Sequence, residues 1–206
     1  RLETAKVLTT PRAPEEAVLA GIEAVLASAG LTPSDIGILI HGTTLATNAI
    51  IERKGAVTAL ITTEGFRDIL DTAYETRYDQ YDVFIDKTEP LIPRYLRLAA
   101  PERVSVHGEV LRALDEDAVH ALLPTLDAEG VASVAVGFLH AYANDAHERR
   151  VREILNAERP DLHVTLSSEV CPEVREYERL TTASANAYVQ PLMARYLSRL
   201  KDELDA

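Results

Sequence analysis

Tryptophan, cysteine and methionine are the scarcest residues of this sequence. Among its 206 residues Cys171 is the single cysteine, and tryptophan is absent. One cysteine excludes an intrachain disulfide, and no His/Cys pair lies at zinc-ligand spacing around it, so we expect an intracellular, cytoplasmic protein. Because free cysteine is among the most buried residue types, we expect Cys171 to be an inert buried thiol, with a nucleophile as the less favoured alternative.

Positive charge and long apolar runs are also lacking. The 33 acidic and 21 basic residues give a formal net charge of -12. This excess argues against nucleic acid as a partner, because such binding needs Lys and Arg to neutralise phosphates. No apolar run approaches the roughly 20 residues of a membrane span, and the N-terminus shows no signal pattern. We therefore predict a globular protein with solvated acidic faces and neither a nucleic-acid nor a membrane partner.

Three familiar catalytic patterns are missing as well. The sequence contains no Gly-rich phosphate loop, of either the P-loop or the dinucleotide type. No serine lies in a nucleophile elbow, and no Cys–His pairing can be placed. The histidines are scattered, with none at metal-ligand spacing on a helix. From the residues alone, the prediction stops at an α/β domain with a Thr-rich cleft at the end of a strand.

The clearest strand–turn–helix pattern covers residues 38–55. An apolar run at 38–40 ends on the sequence HGTT at 41–44, and helical apolar spacing then continues to Gly55. In an open α/β sheet such a turn lies at the carboxyl end of a strand, where ligands bind. A plain turn with Thr43 or Thr44 as helix N-cap fits the same pattern. His41 and His140 both follow apolar runs, and each is either a strand-end core histidine or a catalytic one.

Apolar periodicity predicts an alternation of strands and helices along the rest of the chain. Strands are predicted at residues 2–9, 57–62, 131–139 and 164–168, and an antiparallel strand pair at 95–110. Helices are predicted at residues 14–28, 114–129 and 174–204, the last kinked or divided at Pro191. Such alternation implies a parallel sheet with right-handed crossovers, and residues 131–139 should form a central strand.

The segment from residue 74 to residue 93 is rich in tyrosine and acidic residues and has no sustained period. Long excursions in compact domains tend to be functional or to form interfaces. Tyrosine suits packing over a sheet edge and substrate contact equally well, so both alternatives stay open. Thr62 and Thr63 place two hydroxyls at a strand end, where β-propensity and capping are a sufficient structural explanation.

Five ordered motifs resemble the N-terminal part of the hydantoinase A/oxoprolinase family. They are HGTTLATNA at 41–49, ERKG at 52–55, ALITTEGFRD at 59–68, SSE at 167–169 and REYER at 175–179. The similarity runs through essentially the whole chain. Several ordered motifs at family-like spacing are more specific than a single Thr-Thr turn.

The resemblance implies an α/β, actin-like fold of the kind shared by sugar kinases and Hsp70 chaperones, with a mixed sheet flanked by helices. It also implies an ATP- and Mg²⁺-dependent hydrolase acting on a cyclic amide or related carbonyl substrate, of the hydantoin or 5-oxoproline type. In the family, ATP is thought to phosphorylate the carbonyl oxygen, chemistry that depends on positioning and electrostatic stabilisation. A second, B-type subunit is the implied partner.

The same resemblance assigns candidate roles to individual residues. His41, Thr44 and Glu178 are the candidate catalytic residues, with His41 as a proton-transfer or orienting group. The candidate residues of the substrate or nucleotide cleft are Gly42, Thr43, Asn48, Thr62, Thr63, Arg179 and Asn186. Thr62 and Thr63 would form the neighbouring wall. The metal ligands are unknown.

Two departures from the family pattern predict that the chain is a fragment, inactive alone. The Asp-x-Gly-Gly-Thr phosphate loop expected ahead of residues 2–9 is absent, and so is a second actin-like half. We expect one family region over residues 1–206. Its predicted parts are 1–72 with the HGTT turn, 73–112 with the Tyr-rich segment and strand pair, 113–173 with alternating helix and strand, and 174–206 with the long helix.

Two alternatives to a cyclic-amide hydrolase remain. The first is a subunit of an acetone-carboxylase-type, ATP-dependent ketone carboxylase. The second is a non-catalytic interaction domain, in which the Tyr-rich segment is a docking surface and the HGTT turn is only a helix cap.

Overall fold

The structure is a computed structural model that describes residues 1–10, 13–74, 79, 81–85 and 88–205. The described residues do not include residues 75–78, 80, 86 and 87 of the Tyr-rich segment. The prediction made for this segment lies outside the described residues to the same extent. The chain divides into two compact units. Unit 1 comprises residues 1–48 with 192–206, and unit 2 comprises residues 49–191.

The helices are α1 Pro14–Ala29, α2 Leu45–Ile51, α3 Ile69–Thr72, α4 Glu116–His120, α5 Leu123–Ala128, α6 Ala146–Glu158, α7 Ser167–Val170 and α8 Glu176–Asp205. The strands are β1 Thr58–Thr63, β2 Arg97–Ala100, β3 Arg103–Val104, β4 Val110–Arg112, β5 Ser133–Gly137 and β6 His163–Leu166. Short 3₁₀ turns cover Pro33–Asp35 and Arg94–Leu96.

Unit 2 is built on a four-stranded sheet in the order β2-β1-β5-β6. All three strand pairings are parallel, with Leu60 opposite Arg97 and Ala135, and Val136 opposite Leu166. The residues of β1 and β5 are all buried, as expected of central strands in a parallel sheet covered on both faces. This confirms the predicted α/β class with a mostly parallel sheet.

Helices that follow the strands along the chain pack against the sheet and complete the core of unit 2. Helix α6 contributes Val151 and Leu155, and α8 contributes Leu180 and Ala183, to the same buried cluster as the strand residues. The small residues Ala183 and Gly137 allow α8 to approach β5 closely, since a Cβ atom at Gly137 would lie 2.8 Å from Leu180 Cγ. Close packing at this point places the start of α8 beside the carboxyl end of β5.

The structure corrects the prediction of a mixed sheet and of an antiparallel pair at 95–110. The antiparallel pair β3–β4 forms a separate two-stranded sheet. Residues 97–100 instead join the main sheet as β2, parallel to β1, because Leu98 and Ala100 are buried in its core. The predicted helix at 114–129 is two helices, and Pro124 lies in the first turn of the second, where its missing N–H is tolerated.

In unit 1 the predicted strands at residues 2–9 and 38–40 are wrong. None of the described residues of this unit lies in a strand. Ile38 and Ile40 are 83% and 90% exposed, and Leu2 and Leu8 are also exposed. A strand exists only through backbone hydrogen bonds to a neighbour, and no described segment pairs with either run. Helix α1, by contrast, ends as predicted at Gly30, whose φ of 68° is the left-handed helix cap.

Replacing Gly137 by Ala should destabilise the protein by about 1–3 kcal/mol, because the new Cβ overpacks the contact with Leu180. Urea denaturation of the two proteins measures the difference. Gly37→Ala is the matched control, since no atom lies within 4 Å of a Cβ at that position. Equal stability of Gly137→Ala and the wild type would contradict the close helix–strand contact.

Candidate functional site

The HGTT turn, residues 41–44, immediately precedes α2 in unit 1 and is exposed. Thr43 Oγ1 accepts a hydrogen bond from the backbone N–H of Leu45 at 3.2 Å, so its hydroxyl serves as a cap for the short helix. The Asn48 amide nitrogen lies 3.5 Å from Thr44 Oγ1. No described residue accepts a hydrogen bond from the Thr44 hydroxyl, which leaves Thr44 able to donate to a ligand.

His41 is oriented by Tyr196 of α8, within the same unit. His41 Nε2 lies 2.7 Å from the Tyr196 hydroxyl, and the two rings are 5.8 Å apart. Burial raises the pKa of Tyr196, and the charge of Glu15 adds to the effect. The phenol therefore keeps its proton, and its hydrogen bond with Nε2 holds the His41 ring in place.

Thr62 and Thr63 lie at the carboxyl end of β1 in unit 2, and both are fully buried. Thr63 Oγ1 donates to Glu102 and accepts a hydrogen bond from the backbone N–H of Leu139 at 3.0 Å. The second oxygen of Glu102 lies 2.9 Å from His147 Nδ1. Thr63 therefore ties the end of β1 to the end of β5. Thr62 Oγ1 is buried and has no partner among the described residues.

Arg179 and Glu148 bind the same residue, Phe138, just beyond β5. The Arg179 guanidinium donates to the carbonyl of Phe138 at 2.8 Å, and the Glu148 carboxylate accepts from its N–H at 3.0 Å. Ser167 joins the two charges: its hydroxyl donates to Glu148 at 2.6 Å and accepts from Arg179 Nε at 3.2 Å. Both charged side chains are fully buried. We call this arrangement the Phe138 clamp.

His140 lies at the open edge of the clamp, two residues after Phe138. Its φ of 56° is unusual for a residue other than glycine, and its backbone N–H donates to Glu176 at 3.4 Å. Burial acts to raise the pKa of Glu176, but the hydrogen bond from His140 and the charge of Arg179 lower it overall. Glu176 is therefore ionised at neutral pH, and its oxygen lies 3.8 Å from His140 Nδ1.

Glu178 and Asn186, the remaining candidates on α8, lie away from the clamp contacts. Glu178 accepts a hydrogen bond from the Tyr74 hydroxyl, and this bond lowers the pKa of Glu178 and raises that of Tyr74. An ionised Glu178 is suited to accept a proton or hydrogen bond and is unsuited to act as a general acid. The side-chain oxygen of Asn186 accepts from Thr165 Oγ1 at 3.2 Å.

The structure brings together only some of the residues that were predicted to form the catalytic and cleft site. In unit 1, His41, Gly42, Thr43, Thr44 and Asn48 form one exposed turn. In unit 2, Thr63 and Arg179 both contact the chain just after β5, but as buried structural groups rather than as an open cleft wall. A cleft formed from both sets stays a prediction.

Sequence reasoning gave no role to Glu102, His147 and Glu148, and it noted Ser167 only as part of the SSE motif at 167–169. Ser167 lies near the end of the predicted strand at 164–168. The other three lie in ordinary helix or loop patterns, and their sequence carries no signal of the contacts that they make.

In the part of the chain that the structure describes, no three or more His, Cys, Asp or Glu side chains are grouped so that they could hold a metal ion. None of the described helices combines the length and the apolar character needed to cross a membrane.

Burial raises the pKa of Glu148, although hydrogen bonds from Ser167 and Ser168 oppose the effect. A carboxyl group whose pKa is raised by folding binds more protons in the folded than in the unfolded state. Its contribution to stability is fully present below the pKa of the unfolded state. That contribution is lost as pH rises through the pKa of the folded state. Relative to Glu148→Gln, the wild-type free energy of unfolding should therefore fall as pH rises from the ordinary glutamate range through the raised pKa of folded Glu148, by about 1.4 kcal/mol for each pH unit by which that pKa is raised.

Urea denaturation at a series of pH values measures this difference. Glu153→Gln removes an exposed carboxylate from the same helix and serves as the control. A wild-type stability that is constant or increases with pH relative to Glu148→Gln would contradict the prediction, because it would show that the hydrogen bonds to Glu148 outweigh its burial.

Comparison with known proteins identifies the family. Residues 1–159 match the hydantoinase/oxoprolinase N-terminal region. The chain is 33% identical to the caprolactamase α subunit of Pseudomonas jessenii over 204 residues, 95% of this chain and 29% of that subunit. It is 33% identical to the acetophenone carboxylase γ subunit of Aromatoleum aromaticum, over 98% of this chain and 30% of that subunit. With Saccharomyces cerevisiae 5-oxoprolinase it shares 34% identity over 81% of this chain and 15% of that protein.

Two solved structures resemble the whole chain. ATP-dependent caprolactamase from Pseudomonas jessenii matches it with a TM-score of 0.86 and 31% identity, over 100% of this chain and 31% of that one. Nucleotide-free acetone carboxylase shares the fold, with a TM-score of 0.81 at 24% identity over 97% of this chain and 30% of that one. The chain thus spans less than a third of the length of these relatives. It belongs to the hydantoinase/oxoprolinase family and corresponds to the N-terminal region of that family.

Proposed function

We propose that the chain is part of an ATP-dependent enzyme that hydrolyses cyclic amides. The observation that carries this proposal is the likeness to ATP-dependent caprolactamase, which extends over the entire chain at 31% identity. The 34% identity to 5-oxoprolinase supports the same reaction class, because both names describe hydrolysis of a cyclic amide. The actin-like ATPase fold implied by the motifs is part of this proposal.

At the carboxyl ends of β1 and β5, where an open parallel sheet usually binds its ligand, Thr63 bonds to Leu139 N–H and to Glu102. Arg179 is likewise fully bonded to protein atoms. We therefore derive no phosphoryl-transfer step from this chain, and we propose that ATP and Mg²⁺ binding requires residues of the whole protein beyond those described.

His41 and Thr44 are the residues that we propose for direct contact with the reacting groups. The supporting geometry is the hydrogen bond with Tyr196, which holds the His41 ring in place, and the exposed Thr44 hydroxyl. Imidazole and hydroxyl donors stabilise negative charge on a carbonyl oxygen or on a phosphoryl group. Glu178, held ionised beside Tyr74, is the proposed proton acceptor.

A ketone carboxylase subunit is the second candidate. It is favoured by the 33% identity to the acetophenone carboxylase γ subunit, which covers 98% of this chain. Both named subunits, caprolactamase α and acetophenone carboxylase γ, come from proteins with more than one kind of subunit, so we also propose a B-type partner subunit. A substrate panel of ε-caprolactam, hydantoin, 5-oxoproline and acetone with bicarbonate, each with ATP, separates the candidates.

Thr44→Ala in the full-length protein, assayed with its partner subunit, should lower substrate-dependent ATP turnover at least about 10-fold, and His41→Ala about 100-fold. The reason is loss of a positioned donor at the HGTT turn. Phosphate release and ring-opened product are measured together.

Thr47→Ala is the matched control, because Thr47 is an exposed threonine of α2, the helix that follows the HGTT turn. Wild-type rates of ATP turnover and product formation in both turn variants would rule out the proposed role. Absence of nucleotide binding by the full-length protein in calorimetry would favour the interaction-domain alternative instead.

A further inference from the structure

The backbone just beyond β5 is fixed by side chains from three other elements. The N–H groups of residues 138–140 donate in turn to Glu148 of α6, Thr63 of β1 and Glu176 of α8. The last residue of this segment, His140, lies at the carboxyl end of a parallel strand, where open α/β sheets bind their ligands. The scaffold therefore holds a histidine in a fixed position at the edge where a ligand is expected.

The imidazole of His140 has one engaged nitrogen and one open nitrogen. Nδ1 lies 3.4 Å from the Tyr142 hydroxyl and 3.8 Å from a carboxylate oxygen of Glu176. Nε2 has no hydrogen-bond partner among the described residues, and the buried side-chain atoms that lack a partner do not include it. The His140 side chain is 31% exposed. Solvent or a ligand can thus reach Nε2, while protein groups hold the opposite side of the ring.

Glu176 places a negative charge beside this ring. Burial acts to raise the pKa of Glu176, but the hydrogen bond from the His140 N–H and the charge of Arg179 lower it overall, so the carboxyl group is ionised at neutral pH. The Arg179 guanidinium contacts the same carboxylate oxygen at 3.3 Å and lies 5.4 Å from the centre of the Tyr142 ring. When the imidazole is protonated, Glu176 is its counter-ion at 3.8 Å.

The proposed ring opening requires a proton donor that none of the residues assigned so far provides. When the C–N bond of a cyclic amide breaks, the departing nitrogen has to gain a proton to leave as an amine. Glu178 is held ionised and so can only accept a proton, and the donors of the HGTT turn are assigned to an oxygen. A partly exposed imidazole beside a carboxylate is a common proton donor in enzymes.

We infer that His140 is the general acid of the proposed reaction and that Glu176 is its positioning residue. The Nε2 proton of the imidazolium passes to the ring nitrogen as the C–N bond breaks. Water supplies the oxygen of the new C–O bond, and its proton passes to Glu178, the proposed acceptor. Solvent then returns one proton to His140 and takes one from Glu178, so that both side chains regain their starting forms. This inference rests on the proposed function and adds the missing acid to it.

The test uses the full-length protein with its partner subunit, and ε-caprolactam, hydantoin and 5-oxoproline as probes, each with ATP. His140→Asn should lower kcat for ring opening at least about 100-fold, because Asn tolerates a φ of 56° but cannot transfer the proton. Its KM should stay within about 2-fold of the wild-type value, since the acid acts in the transition state.

Glu176→Gln tests the positioning role. It keeps an acceptor for the His140 N–H but removes the charge. We expect kcat to fall about 10-fold with KM unchanged, because only the protonated imidazole needs the carboxylate.

Chemical rescue separates proton transfer from a structural role. His140→Gly adopts the same backbone conformation without strain and leaves a gap that free imidazole can enter. Added imidazole should raise kcat of this variant at least about 10-fold, and it should change neither the wild type nor His140→Asn. His120→Asn is the matched control and should keep the wild-type kcat, since His120 is an exposed histidine 3.9 Å from the carboxylate of Glu158.

A wild-type kcat in His140→Asn, or a loss in His140→Gly that imidazole does not restore, would overturn the inference. In either case ring opening by the wild-type protein leaves the proposed function standing. A wild-type protein that opens none of the three rings refutes the proposed function before any variant is assayed, and the inference fails with it.

Discussion

The hydrogen bonds of two buried ionisable side chains, Glu148 and Arg179, to the backbone of one residue, Phe138, are the interaction on which the rest of unit 2 depends. Glu148 holds the N–H of Phe138 and Arg179 holds its carbonyl, while Ser167 bridges the two side chains. Neither charge could remain buried without these partners, since an unpaired buried ion costs several kcal/mol. The Phe138 clamp therefore fixes β5, α6, α7 and α8 at one point, and it sets where the chain leaves the sheet.

This constraint decides which polar groups remain for chemistry. Thr63 and Glu102 join the clamp region to the end of β1, at the edge of a parallel sheet where ligands usually bind. Hydroxyl groups without a described acceptor lie both at this edge and away from it. Thr62 Oγ1 is buried and unpartnered at the end of β1, and so is Ser184 Oγ on α8, while the Thr44 hydroxyl is exposed at the HGTT turn.

The predictable part of this structure is the part that local patterns encode. Continuous apolar runs identified β1, β5 and β6, and Gly30 identified the end of α1, because burial and helix capping act through neighbours in sequence. Residues 38–40 carry the same apolar pattern but lie exposed and unpaired, since strand formation also requires a partner that sequence periodicity cannot supply. Glu148 and Glu102 escaped notice for the same reason, as their partners are distant in the chain.

The motifs that carry the family resemblance therefore include residues whose contacts are structural. Thr63 and Arg179 lie within the motifs at 59–68 and 175–179, yet every contact described for them builds the scaffold. A scaffold clamp places no demand on the substrate, which is consistent with similar identity to relatives named for caprolactam, 5-oxoproline and acetophenone. Because the clamp contacts are made between protein groups, the contacts that distinguish one substrate from another are expected among residues outside the Phe138 clamp.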